Sequence, residues 1–482
     1  MNKPLRKIAV AGMLLLVVLI VNINYLQGSQ AEKLRTDPLN SRQFAQQWEH
    51  NRGPIMAGKV TLAYSEKIGG KDGKNYQRHY NQGTMYSPIT GYVSVFSRTG
   101  LESAQNGLLD GTDKRLALHN WFDMLVGKKA AGATVQTTIN PDAQEAAYSG
   151  VKNRTIRRGG AVAIDVKTGA ILAMASFPSF DTNDVAVHDG TKANKAFTAL
   201  NKQKPDPMLN YAMRETFAPG SSFKIINSAA AIESGQYNKD SSVDASELRL
   251  PESGQTLPNS DGDEQKCSGA PALIDSFAAS CNSTFGRLAI KQGQEQLGAM
   301  AAKFGFNKPT EVENDMSSAT SQYPTKPIGG DALARSGIGQ EVVTASPLQM
   351  AMVAQTVAND GKMMKPFLVK RVVAQDQSEL VTAEPKELGQ PISADTAGQL
   401  QEMMRAVVER GTAASTVGGH DIAGKTGTAE TGVNGINEDW FVGFAPKNNP
   451  KIAFAVVTEG PAGSTGAKFS APIALRIVQA VR

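Results

Sequence analysis

Ser221 and Lys224 stand three residues apart, directly after the Pro219-Gly220 break and at the start of a helical pattern. Positions i and i+3 of a helix share a face, so the hydroxyl and the amine come together. A serine hydroxyl is a weak nucleophile until a base takes its proton, and a lysine can be that base if desolvation or a nearby cation lowers its pKa. The N-terminus of the helix also offers partial positive charge to a developing oxyanion. Ser222 is a poorer candidate, because the residue three beyond it is Ile225. Alone, Ser-x-x-Lys is a weak signal, and a helix-capping serine beside a solvated lysine is the bland alternative.

Two further stretches follow in an order that gives the pair meaning. Ser280-Cys281-Asn282 ends an apolar helical run, where Ser280 and Asn282 can both point from a loop into a cleft. Lys425-Thr426-Gly427-Thr428 lies in a region of strand character, where Lys425 and Gly427 share one face and Thr426 and Thr428 the other. Gly427 would leave room for a ligand to approach the backbone. Two decoys need separating from these. Lys167-Thr168-Gly169 sits at a hairpin signal upstream of the serine and reads as a turn. Gly419–Thr426 matches GxxxxGK[ST], but that loop needs a buried strand before it and a helix at its lysine. Gly427, Gly432 and Gly435 argue against such a helix.

The elements that must position these residues divide the chain unevenly. Gly159–Asp181 reads as a hairpin, a series of alanine-rich helices follows, and strands return in HDIAGKTGTAET, DWFVGFAP and KIAFAVVTEG before a last helix. Strands at both ends of one large domain imply a single antiparallel sheet with helices on or beside it, an α+β architecture. Between residues 27 and 150 the chain is polar and mixed. There NRGPIMAGKVTLAYSE and GYVSVFS alternate like strands and RTGLESAQNGLLDG reads as a short helix. Ala374–Gln390 reads as a surface loop or a weak hairpin.

Lys3, Arg6 and Lys7 precede an apolar run from Ile8, the arrangement that holds this end in the cytoplasm and sends the rest outside. Ile8–Leu26 would rise about 28 Å as a helix, enough for one hydrocarbon core. The competing reading is a signal segment cut near Ser29-Gln30-Ala31. A net charge of +5 without a Lys/Arg block gives nucleic-acid binding little support. The five scattered histidines and two cysteines form no metal-ligand spacing.

The ordered set SxxK, SxN, KTG resembles that of the penicillin-binding proteins and serine β-lactamases. ETFAPGSSFK, SGIGQEVVTASPLQMA, VVERGTA, IAGKTGTAE and DWFVGFAP resemble the transpeptidase domain of the former, and NRGPI and RTGLE the N-terminal module of its class B members. The resemblance implies a cytoplasmic stub at 1–7, a membrane anchor at 8–26, a dimerisation or partner-binding module at 27–150 and a transpeptidase domain at 151–482. That domain would be a five-stranded antiparallel sheet flanked by helices, plus an all-helical lobe. The implied reaction is cross-linking of peptidoglycan stem peptides through an acyl-enzyme, blocked covalently by β-lactams, with no metal or other cofactor.

Position by position, the resemblance makes Ser221 the nucleophile, Lys224 its base and Ser280 the proton relay. Asn282 would hold the substrate amide. Lys425 would keep the site electropositive, and Thr426 and Thr428 would bind the terminal carboxylate. The N–H groups of Ser221 and Thr428 would form the oxyanion hole. A membrane glycan polymerase is the implied partner, and the single-pass anchor would leave the catalytic domain outside the cytoplasm. A β-lactamase, a β-lactam sensor and a D,D-carboxypeptidase remain as alternatives. Cys267 and Cys281 would sit in a compartment that permits oxidation, so either a disulfide or two buried thiols is open.

Overall fold

The computed structural model describes residues 3–30, 48–69, 76–116, 131–153, 155–259, 265–432 and 435–481. Strands β1 (Gly159–Asp165) and β2 (Ile171–Phe177) form the hairpin read from the sequence. At its reversal Asp165 Oδ1 accepts from the N–H groups of Lys167 and Thr168 and from the Thr168 hydroxyl, and Gly169 takes φ +82°. The upstream KTG is thus a turn held by an aspartate side chain. Strands β3 (Ala423–Glu430), β4 (Asn437–Ala445) and β5 (Ile452–Gly460) complete an antiparallel sheet in the order β3-β4-β5-β1-β2. β5 pairs with β1 from Ile452↔Asp165 to Thr458↔Gly159, so the two ends of the domain meet inside the sheet.

Every residue of β4 and β5 is buried, as expected for strands covered on both faces. The helix Pro141–Val151 packs with the C-terminal helix Gly466–Val481 against this sheet, although the sequence boundary at 150 would assign it to the preceding module. The helix Pro347–Ala358, buried throughout, packs on β5, β1 and β4. Helix starts carry ordinary caps: Asn140 ahead of Pro141 accepts from the Ala143 N–H, and Ser346 ahead of Pro347 accepts from the Gln349 N–H. Helices Lys224–Glu233, Leu273–Ala279 and Asn282–Lys303 belong to a helical lobe beside the sheet, the last of them kinked at Gly293. The α+β architecture expected from the sequence is the one observed.

The N-terminal module is built on a second sheet. Ile55–Ala57, Val60–Lys67 and Tyr76–Tyr80 form antiparallel pairs, and Thr134–Thr137 runs parallel to the first of them. On its other side Thr134–Thr137 pairs with Val369–Val373, itself in a hairpin with Glu379–Thr382. The polar stretch after Ala374 is therefore the turn and outer strand of a hairpin that finishes the N-terminal sheet. Among the described residues GYVSVFS makes the single bridge Val93↔Arg98: Gly91 at φ +61° and the Ser94 N–H to Ser97 O bond fold it into a tight loop.

Arg52 of NRGPI and Glu102 of RTGLE meet in a fully buried ion pair at 2.7 Å, and Arg78 joins Glu102 at 2.6 Å. Burial alone would raise the Glu102 carboxyl, but Arg78 and Arg52 outweigh it and hold the group below the usual glutamate value. The helix Lys3–Gly28 buries none of its residues and is long and apolar enough to cross a membrane. Ala31 of the candidate cleavage site lies outside the described residues.

Candidate active site

Gly220–Phe223 is a 3-10 turn that continues as an α-helix from Lys224, with Gly220 at φ +52°. Ser222 is buried and its hydroxyl donates to Pro219 O at 2.7 Å, which makes it a structural residue. Ser280 closes the helix Leu273–Ala279 in the left-handed region, φ 64°, and Asn282 opens the next helix. That reversal turns both side chains toward Lys224. Its Nζ donates to Ser280 O at 2.7 Å, to Asn282 Oδ1 at 2.7 Å and to Ser280 Oγ at 3.2 Å. Lys425, in the first half of β3, donates to the same Ser280 Oγ at 2.9 Å and to Thr426 O at 3.0 Å. Both lysines are fully buried. Their amines lie over aromatic rings, Lys224 over Phe285 at 5.4 Å and Lys425 over Phe277 at 5.6 Å.

Three motifs distant in the chain are thus brought together, but on the Ser280 hydroxyl. Among the described residues the Ser221 hydroxyl bonds to neither lysine, because the donors of Lys224 point at the 280–282 loop. Asn282 is engaged at both ends of its amide, since its Nδ2 donates to Pro258 O at 2.8 Å. The Thr426 hydroxyl meets that of Thr412 at 2.6 Å, and Thr428 Oγ1 accepts from the Gly466 N–H at 3.3 Å.

Gly427 makes room for the protein's own chain. A Cβ there would lie 2.6 Å from Pro219 O, 3.1 Å from Ser222 N and 3.1 Å from Trp440 Cβ. The backbone that needs this space is the protein's own serine turn, and no ligand is required to explain the glycine. The phosphate-loop match fails on geometry, since Lys425 sits inside a strand and not at a helix start. Cys267 and Cys281 are joined as a disulfide, Cα–Cα 5.4 Å, which ties the residue between Ser280 and Asn282 to the chain before Pro271.

Two residues of the site were not singled out from sequence. Glu438 Oε2 accepts from the Ala218 N–H at 2.6 Å, and Trp440 Nε1 donates to Ala218 O at 2.8 Å. The available signal was the acidic pair Glu438-Asp439 leading directly into an apolar strand, since a buried carboxylate must find a donor.

A domain held around such a serine, with two lysines and an Ser-x-Asn loop, defines a class. The family described as the penicillin-binding protein transpeptidase domain matches residues 159–479, and the chain belongs to it. The dimerisation domain of penicillin-binding protein A matches residues 52–135. Over 98% of its length the chain is 38% identical to the peptidoglycan D,D-transpeptidase PbpA of Mycolicibacterium smegmatis, 97% of which is covered. The PbpA of Mycobacterium tuberculosis is 34% identical over 100% of this chain and 99% of its own. Among solved structures, the ceftriaxone acyl-enzyme of penicillin-binding protein A from M. tuberculosis superposes with a TM-score of 0.84 at 32% identity, covering 90% of this chain and 99% of that one. The D,D-transpeptidase domain of a peptidoglycan glycosyltransferase from Eggerthella lenta gives 0.75 at 31% identity, covering 90% and 98%.

Proposed function

We propose that this chain is a peptidoglycan D,D-transpeptidase with Ser221 as its nucleophile. Ser221 Oγ attacks the carbonyl between the two terminal D-alanines of a stem peptide, the peptide bond breaks, and free D-alanine leaves. The amine of a second stem peptide then takes the acyl group and restores the serine. Lys224 in its neutral form takes the Ser221 proton, and Ser280 passes a proton to the departing amine. Asn282 exchanges its Pro258 contact for the substrate amide, and Thr426 and Thr428 bind the terminal carboxylate near the Lys425 charge. The N–H groups of Ser221 and Thr428 hold the oxyanion, a contribution of roughly 3–4 kcal/mol in such enzymes. The observation that supports this reading is the meeting of both lysine amines on one hydroxyl, which links Lys224, Ser280 and Lys425 by hydrogen bonds beside the serine turn. The Ser221–Lys224 contact tightens only when substrate is bound, as catalytic hydrogen bonds often do.

β-Lactams, as substrate mimics, acylate the same serine. The helix Lys3–Gly28 crosses the cytoplasmic membrane once with the catalytic domain outside, a reading supported by Lys3, Arg6 and Lys7 ahead of the apolar run. The N-terminal module engages a membrane glycan polymerase, which supplies the nascent polymer whose peptides are joined. The test is labelling with a fluorescent penicillin, wild type against Ser221→Ala. A long-lived covalent band is expected in the first and none in the second. A wild-type band that fades with release of hydrolysed drug would instead indicate a β-lactamase, and D-alanine release that ignores an added acceptor amine a carboxypeptidase.

A further inference from the structure

The segment Phe217–Gly220 delivers the chain to Ser221, and its Ala218 peptide is gripped from both sides by β4. The Ala218 N–H points to Glu438 and its C=O receives the Trp440 indole. Glu438 and Trp440 are two residues apart on a strand, so they share a face, and Trp440 stands opposite Gly427 in the β3–β4 register. The serine turn lies over that glycine. Phe217 is fixed as well: its backbone exchanges hydrogen bonds with Ala345 at 3.0 and 2.8 Å, and its ring meets Trp440 edge-on at 6.2 Å.

Glu438 is only 6% exposed, and a definite set of charges faces it. Arg158 approaches its carboxylate to 3.9 Å but is paired more closely with Glu459 on β5 and with Glu215. Arg157 takes the other oxygen of Glu459 at 2.9 Å. Glu438 is the third carboxylate of a group with two arginines. Burial pushes its carboxyl up to about 7, against the pull of the Ala218 N–H.

We propose that Glu438 and Trp440 are positioning residues for acylation, holding the Ala218 peptide and through it the turn that presents Ser221. This rests on Ser221 being the nucleophile. Removing either partner takes away the bond to the Ala218 N–H or to its C=O and lets the turn shift over Gly427. Glutamine at 438 keeps an oxygen in place of the acceptor; alanine does not.

The experiment follows acylation of the full-length protein by a fluorescent penicillin over a range of concentrations, which separates the saturating rate from the half-saturating concentration. Glu438→Ala and Trp440→Phe should each lower the saturating rate roughly 10- to 100-fold, the scale of a displacement of about 1 Å at a reacting group. The half-saturating concentration should stay within about twofold, because groups that contact the drug are untouched. Glu438→Gln should recover most of the rate. Saturating rates equal to wild type in Glu438→Ala and Trp440→Phe would overturn the proposal, as would a Glu438→Gln protein as slow as Glu438→Ala. Ser221→Ala keeps the two ideas apart. If it still acylates, the nucleophile is wrong; if it is silent while the β4 variants react normally, only the positioning role is wrong.

Discussion

Gly427→Ala puts a methyl group where the serine turn rests. The added carbon would sit 2.6 Å from Pro219 O, about 0.8 Å inside the 3.4 Å at which ordinary van der Waals contact begins. It would also lie 3.1 Å from Ser222 N and 3.1 Å from Trp440 Cβ, so no flexible side-chain end is available to yield. The turn must move by most of that overlap. An overpacked site of this kind costs about 1–3 kcal/mol of stability. A displacement approaching 1 Å at the reacting group lowers the rate roughly 10- to 100-fold. Timed labelling with a fluorescent penicillin reads the second effect and thermal melting the first. Gly398→Ala is the control, since nothing lies within 4 Å of its added carbon in the helix Ala394–Glu409. It should gain up to about 1 kcal/mol from helix propensity and label normally. A Gly427→Ala protein that labels and melts like wild type would show that close packing of β3 on the turn does not set the serine's position.

Ser280→Ala removes the hydroxyl shared by both lysines and should slow acylation by about 100-fold or more, measured by the same labelling. Glu102→Gln strips the counter-charge from Arg52 and Arg78 and should cost about 3–5 kcal/mol in a denaturant titration. Because the fold holds the Glu102 carboxyl below its usual value, the stability it contributes is complete above the unfolded-state value and is lost as pH falls through the folded one. Acidification should therefore destabilise wild type by an increment that Glu102→Gln lacks. Replacing Cys267 and Cys281 by serine opens a loop closed over a separation of 14 residues and should cost about 3 kcal/mol. It should also slow labelling, as Cys281 lies between Ser280 and Asn282; unchanged labelling would mean the loop holds itself.

The catalytic sheet could be read from the chain because most of its strands are apolar runs bounded by turn signals, and each motif could be read because its residue types are scarce in that order. Long-range pairing left weaker traces. Nothing local in Val369–Val373 says that it neighbours Thr134–Thr137, a partner chosen by three-dimensional closure. The neighbour of Gly427 was not legible for a similar reason: a glycine announces close approach but not that the serine turn is what approaches. Ser221 and Lys224 have the spacing that brings side chains together, yet the amine turns to a loop that only the fold brings near. Trp440 lay inside a motif already quoted for its resemblance and Glu438 directly before it, but their work is done on Ala218, more than two hundred residues upstream.

The hairpin Val369–Thr382 ties the two modules in a way that matters to anyone who cuts the chain. Its strands finish a ladder whose remaining members all precede residue 138. A fragment beginning at the transpeptidase match would carry Val369–Val373 with a bare row of amide and carbonyl groups, an invitation to pair with a neighbour and precipitate. The same ladder gives mechanical continuity. A pull on the N-terminal module reaches the hairpin across these ladder hydrogen bonds, and the helix Pro347–Ala358, only a short way back along the chain, lies against the strands that support the serine.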